Sequence, residues 1–219
     1  MGGQKAISRL IAFDMDGTLL DGRVIYNVGH RFGFKSEIEK ISKSSRVPYV
    51  RSQRIAKLLK GLTVSEFTGI VRAIPLMNGA AQAVKQLKDK NCRVGIMSDS
   101  YTLATEIVAR RLEMDFHVAN KLEVKNGVFT GFLKMPLGWE RIGCRCKQSV
   151  CKRYHLIRLA KRYGVGLSNT VAVGDSSADL CMIESAGIGI LFNPVEDNAP
   201  QNVKYIVRGK DLRLVLSFC

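Results

Sequence analysis

Two carboxylates separated by one residue, Asp14-Met15-Asp16, follow directly on the apolar run Leu10-Ile11-Ala12-Phe13. A short apolar run reads as a buried strand, and strand side chains alternate with period two. Both acids then project to one side of the sheet, unless the chain bends after Asp14 and swings Asp16 over its neighbour. Carboxylates held that close repel unless a cation or a shared proton relieves them. The pair therefore points to a divalent metal, to a nucleophile with an acid/base partner, or to both. Gly17-Thr18 adds a turn with a hydroxyl, and an acidic β-turn without chemistry is the plain alternative for the pentad alone.

A second acid-tipped strand lies far downstream. Thr170-Val171-Ala172-Val173 runs into Gly174-Asp175-Ser176-Ser177-Ala178-Asp179, with its acids spaced i, i+4 at the start of a helix expected to reach about Ala186. In α/β sheets, ligands bind in the crevice beyond the carboxyl ends of the strands. Two such strands side by side would gather three or four carboxylates around one point. Mg²⁺ suits such hard oxygen donors and keeps positions open for water and phosphate.

Pentad and hexad together resemble the signature motifs of the haloacid dehalogenase superfamily of phosphohydrolases, and the connecting motifs can be placed as well. Val94-Gly95-Ile96-Met97 leads to Ser98, which fits the family's phosphate-binding Ser/Thr, with Asp99 beside it. A helix expected from about Tyr101 to Leu112 would turn its N-terminal amides toward the anion. Lys152, opening an expected helix Lys152–Tyr163, stands at the spacing of the lysine in phosphoserine phosphatases, with Lys147 as the other candidate. The resemblance covers almost the whole chain. It implies attack on phosphorus by Asp14, giving an aspartyl-phosphate, with Asp16 as general acid and then base. It also implies Mg²⁺ held by Asp14, the main-chain carbonyl of Asp16, Asp175 and, directly or through water, Asp179. Ser98, Asp99 and Lys152 would lie at the phosphoryl oxygens. Asp16 argues for phosphate chemistry over carbon–halogen cleavage, because dehalogenases of this superfamily lack that residue.

The elements that must position these groups follow from pattern. A first strand is expected at Ser8–Phe13, and residues 21–74 read as mostly helical, with breaks near Gly33, Pro48 and Gly61. Thr63-Val64-Ser65-Glu66 is a capping box for a helix that ends before Pro75. A helix at Gly79–Lys90 leads into a strand at Arg93–Met97, and Asn126-Gly127 signals a hairpin. Strands near Ile188–Leu191 and Tyr205–Val207 complete an α/β, doubly wound and mainly parallel Rossmann-like sheet. Residues 1–20 and 75–219 form the expected catalytic core, with 21–74 inserted as a small helical cap. In the phosphoserine phosphatase branch, which the insertion resembles, such a cap closes over the phosphate and excludes water.

Substrate recognition departs from that branch. Arg23 stands where phosphoserine phosphatases carry a glutamate, and a cation cannot accept hydrogen bonds from an ammonium. Ile55 occupies the place of a cap arginine, which leaves the adjacent Arg54 as substitute, and Ser98-Asp99-Ser100 replaces the usual Ser-Gly-Gly. The expected substrate is a small phosphorylated metabolite with a second anion that pairs with Arg23. Ser98-Asp99 and Gly174-Asp175-Ser176 also resemble phosphoserine:homoserine phosphotransferases, so transfer to a small alcohol is the second implication.

With 219 residues, 46% hydrophobic and 24% charged, the chain can bury one substantial core plus a small accessory unit. No stretch approaches the ~18 apolar residues of a spanning helix. No signal-peptide h-region is present, and Ala6 sits where a myristoylation motif starting at Gly2 wants Ser or Thr, so the cytoplasm is the expected compartment. A net charge of +15, with Arg46, Arg51, Arg54, Lys57 and Lys60 in the cap, fits scattered solvated cations. A nucleic-acid-binding protein or nucleic-acid end phosphatase is the alternative, although few aromatics are interleaved for stacking. The six cysteines do not read as a disulfide scaffold. Cys92 and Cys181 fall in core elements and Cys219 is terminal, whereas Cys144, Cys146, Cys151 and His155 could supply zinc ligands or a redox-sensitive pair.

Overall fold

Seven apolar runs become strands of one sheet in the computed structural model, which describes residues 6–194 and 202–219. Gly2 lies outside the described residues. The strands are β1 (Leu10–Phe13), β2 (Arg93–Tyr101), β3 (Phe116–Lys125), β4 (Val128–Lys134), β5 (Thr170–Gly174), β6 (Ile188–Phe192) and β7 (Tyr205–Val207). Their order is β4-β3-β2-β1-β5-β6-β7, and only β4 runs antiparallel to its neighbour. Phe13 at the end of β1 stands opposite Ile96 of β2 and Val173 of β5. Strand order reverses around β1, so the crevice of a doubly wound sheet opens beyond the carboxyl ends of β1 and β5.

Period-two alternation splits the strands between two apolar layers. Ile11, Phe13, Val94, Ile96, Val171 and Val173 face one cluster. That cluster takes in α1 (Val24–Phe32), α3 (Pro48–Leu58), α4 (Val64–Ala73), α5 (Ala80–Asp89) and α6 (Thr102–Arg111). Leu10, Ala12 and Ala172 face the other, under α7 (Lys152–Tyr163) and α8 (Leu180–Ile183). With helices on both faces the parallel strands are buried, which is why they read as continuous apolar runs. The doubly wound, mainly parallel expectation holds.

The inserted stretch forms α1, α2 (Lys35–Ser44), α3 and α4. Thr63 caps α4 through the reciprocal bonds with Glu66 that its sequence forecasts. Main-chain bonds from Gly61 N–H to Phe129 O (2.9 Å) and from Val64 N–H to Gly127 O (3.0 Å) tie this stretch to the β3–β4 hairpin.

Two boundaries differ from expectation where the site is built. β2 continues to Tyr101, after an irregularity between Met97 and Tyr101 in its pairing with β3, while α6 starts at Thr102, where the sequence placed it. After β5, a single 3₁₀ turn at Ser177–Asp179 and the short α8 replace the longer helix, because the chain must turn back into β6 at Ile188.

Candidate active site

Asp14 lies one residue past β1, and its N–H continues the ladder to Val173 O at 2.8 Å. Asp175 stands at the equivalent place past β5, and Asp179 closes the 3₁₀ turn that follows. The carboxylates of Asp14, Asp175 and Asp179 lie within 4.8 Å of one another, and all three residues are buried. Lys152, the first residue of α7, is 1% exposed. Its Nζ donates to Asp14 Oδ1 at 2.5 Å and to Asp179 Oδ1. Asp179 Oδ2 accepts from the N–H and hydroxyl of Ser176, both at 3.1 Å. Lys147, the other candidate lysine, is exposed in the loop ahead of α7.

Glycine is required at two points of this arrangement. A Cβ on Gly174 would stand 2.3 Å from Asp179 Cγ, and one on Gly17, whose φ is +84°, 2.4 Å from Asp175 Oδ2. Gly174→Ala is expected to push Asp179 off Lys152 and cost about 1–3 kcal/mol through overpacking. Urea denaturation measures it, and a loss below about 0.5 kcal/mol, the scale of a neutral surface change, would contradict the packing argument.

Burial sets the electrostatics. It pushes Asp14 well above the usual carboxylate range, with Asp179 and Asp175 adding to the effect and Lys152 opposing it. Asp175 is raised by burial and by Asp179, while Arg23, whose Nη2 reaches Asp175 Oδ2 at 2.9 Å, opposes. Burial alone would deprotonate Lys152, but Asp14 and Asp179 hold it protonated. Asp16 accepts from Val24 N–H at 2.7 Å, and desolvation pushes it up to about 6. Three buried hard-oxygen donors outnumber the two cations that reach them, which fits Mg²⁺. The Asp16 carboxylate is outside this set.

Raised values mean that the metal-free fold keeps protons on Asp14 and Asp175 to higher pH than the unfolded chain does. That contribution is present at low pH and lost as pH rises through the folded values, where Mg²⁺ takes the protons' place. Stabilisation by Mg²⁺, about 2.7 kcal/mol at a hundred times its Kd, should therefore be full near neutral pH and shrink as pH falls. Thermal unfolding with Mg²⁺ or chelator across that range tests it, and an Mg²⁺ shift that grows toward acid would count against these ligands.

Between the strand ends and α1–α3 lies a cavity of about 480 Å³, lined by Asp14, Asp16, Arg23, Asp99 and Asp175 and by Tyr26, Arg51, Ile55 and Gln148. Ser98 does not line it: the residue is fully buried, and its Oγ accepts from Ser100 N–H at 3.1 Å. α6 begins at Thr102 with Tyr101 as its N-cap, where the sequence placed it, and β2 runs up to that cap. Asp99 does line the cavity, with its carbonyl held by Asn120 Nδ2 at 2.6 Å, and any attraction for phosphate there falls to its main chain. Arg54 is not brought to the site. It donates to Ser44 Oγ at 3.3 Å and lies with Val50 and Lys57 toward Phe132. One hundred degrees per residue puts Pro48, Arg51, Ser52 and Ile55 of α3 on the cavity face and turns Arg54 away. The i, i+4 pair Arg51/Ile55 was the signal that could have found Arg51 in the sequence. Tyr26 and Gln148 carried none.

The sequence profile of haloacid dehalogenase-like hydrolases matches residues 11–184. Phosphoserine phosphatase of Archaeoglobus fulgidus is 32% identical over 192 residues, covering 86% of this chain and 53% of that protein. Phosphoserine phosphatase of Lactococcus lactis is 31% identical over 223 residues, covering 97% and 96%. This chain thus spans about half the length of the first and nearly all of the second. A solved phospho-aspartyl intermediate analogue of phosphoserine phosphatase superimposes with a TM-score of 0.82 at 26% identity, covering 96% of this chain and 98% of that one.

Proposed function

This chain belongs to the haloacid dehalogenase-like hydrolases and within them to the phosphoserine phosphatase family, and on that premise we propose that it is an Mg²⁺-dependent phosphatase acting on a small phosphorylated metabolite. The observation that carries the reading is Asp14, buried against Lys152 and open to a cavity that Asp16 shares. Asp14 attacks phosphorus, the bond to the leaving oxygen breaks, and Asp16 delivers its proton to that oxygen. A value near 6 leaves Asp16 able both to hold that proton and to release it. The Asp16 carboxylate then takes a proton from the water that attacks the aspartyl-phosphate, freeing inorganic phosphate and Asp14. Lys152 orients Asp14 and opposes the burial that favours its protonated form. Asp14, Asp175 and Asp179 would hold Mg²⁺, which would supply charge neutralisation for phosphoryl transfer.

Arg51 and Arg23 are the cations on the cavity wall, which supports a substrate with a second anion. Arg51→Ala should raise KM about 10- to 100-fold, the worth of a hydrogen bond to a charged group, and leave kcat near wild type. Arg54→Ala should change neither, and steady-state kinetics of both variants decide. A second reading, an amine-bearing substrate such as phosphoserine, is favoured by the Asp99 carboxylate in the same cavity, which can accept from an ammonium.

The test is a panel of phosphomonoesters assayed with Mg²⁺ and with chelator: phosphoserine, phosphorylated hydroxy acids without an amine, bisphosphates and an aryl phosphate. Highest kcat/KM for the amine-free dianions supports the first reading, and phosphoserine as best substrate supports the second. Repeating the best reaction with a small alcohol present distinguishes transfer from hydrolysis by the fate of the phosphoryl group. No Mg²⁺-dependent turnover of any ester would overturn the phosphatase reading.

A further inference from the structure

Behind the active site, four cysteines meet. Cys144, Cys146 and Cys151 come from the segment that leads into α7, and Cys181 comes from α8. Their sulfurs lie within 4.8 Å of one another, and all four are free thiols. Cys181 was expected to be a core residue and His155 a candidate ligand. The fold exchanges them: His155 Nε2 is engaged by Pro136 O at 2.7 Å, and Cys181 completes the cluster.

We propose that Cys144, Cys146, Cys151 and Cys181 form a tetrahedral thiolate site for Zn²⁺. Zinc–sulfur bonds of ~2.3 Å put tetrahedral sulfurs about 3.8 Å apart, a spacing that small side-chain adjustments of this cluster reach. Thiols are weak hydrogen-bonding groups, so four of them gain little by converging without a cation. Cys144 and Cys151 are buried, and Cys146 and Cys181 are half-buried. An independent observation concerns the Arg153 side chain. Its Nε is buried with no hydrogen-bond partner, and the residue lines the same cavity as Cys144, Cys146 and Cys181, with Arg145 beside them.

Metal entry breaks four S–H bonds, forms four S–Zn bonds and releases four protons to solvent, leaving a centre of net charge −2. The Arg153 and Arg145 guanidiniums offset that charge. Cys151 immediately precedes Lys152, and Cys181 lies just beyond Asp179. The ion would therefore staple the start of α7 to α8, the two places from which Lys152 and Asp179 reach each other.

Metal analysis of the full chain, purified without chelator, is expected to find about one zinc per chain, as a closed four-ligand site requires. Replacement by Co²⁺ should give thiolate-to-cobalt charge-transfer bands and the ligand-field pattern of a tetrahedral ion. These bands should persist in Asp14→Asn and Cys219→Ser and vanish in Cys181→Ser. Reactivity toward a maleimide should rise by four thiols when a strong chelator is added. Should Cys181→Ser not fold, the cobalt spectrum and thiol count of the wild type still decide. The proposal is overturned by cobalt that shows no sulfur-to-metal bands, by thiols equally reactive before and after chelation, or by a mass showing disulfides among the four.

Discussion

Asp14→Asn should abolish turnover, with kcat reduced by at least about 10⁴-fold, the scale on which removal of a nucleophile operates, while the fold is kept or strengthened. The amide has nearly the same shape but cannot attack phosphorus. It also removes one of three carboxylates crowded within 4.8 Å, where burial already disfavours the charged form. Lys152 keeps Asp179 as its partner. In chelator the variant should therefore unfold at the wild-type temperature or above it, a result no damaged protein would give. Asp16→Asn offers a contrast. With an aryl phosphate, whose leaving group needs no proton, the first step survives, and one equivalent of phenol should be released in a burst before turnover slows. Rapid-mixing kinetics resolve the two variants. A residual rate in Asp14→Asn within tenfold of wild type would exclude Asp14 as nucleophile.

Lys152→Met carries the largest expected cost to stability. Lys152 is 1% exposed and contacts Asp14 and Asp179, which are themselves buried. Removing one partner of a buried charge cluster typically costs about 3–5 kcal/mol, because the other is left uncompensated. The apolar side chain fills the space but leaves the two acids facing each other without a cation. Mg²⁺ should recover part of the loss if the same carboxylates hold it, as proposed, and a second substitution, Asp179→Asn, should recover more. Lys147→Met, in the exposed loop, should fall within about 0.5 kcal/mol of wild type. Urea denaturation with and without Mg²⁺ reads all four proteins. A loss under about 1 kcal/mol for Lys152→Met, the worth of a surface pair, would mean that the ammonium is not the partner these acids depend on.

Much of this was legible in the chain because it is local. Apolar runs ending in acid, the Asn126-Gly127 turn and the Thr63/Glu66 box each act within a few residues, and each lies where its pattern placed it. Arg54 and Ser98 were harder. Choosing Arg51 over Arg54 needed the helical phase of α3, which a single arginine does not report. For Ser98 the sequence pattern ended β2 at Met97. The strand instead runs through an irregularity to Tyr101, and the Ser98 hydroxyl within it is buried.

By itself the sequence determined which groups are chemically able to act, the acids at two strand ends, a lysine opening a helix and a run of thiols, and the periodicities that sort them onto strands and helices. Tertiary structure alone decided which of them meet. Strand order puts β5 beside β1 across more than 150 residues of chain, so Asp175 and Asp179 reach Asp14, and Asp179 shares Lys152 with it. The packing of α8 against α7 carries Cys181 to three sulfurs some thirty residues away. Such meetings depend on how whole layers stack, a property of total packing energy that no short window of residues contains.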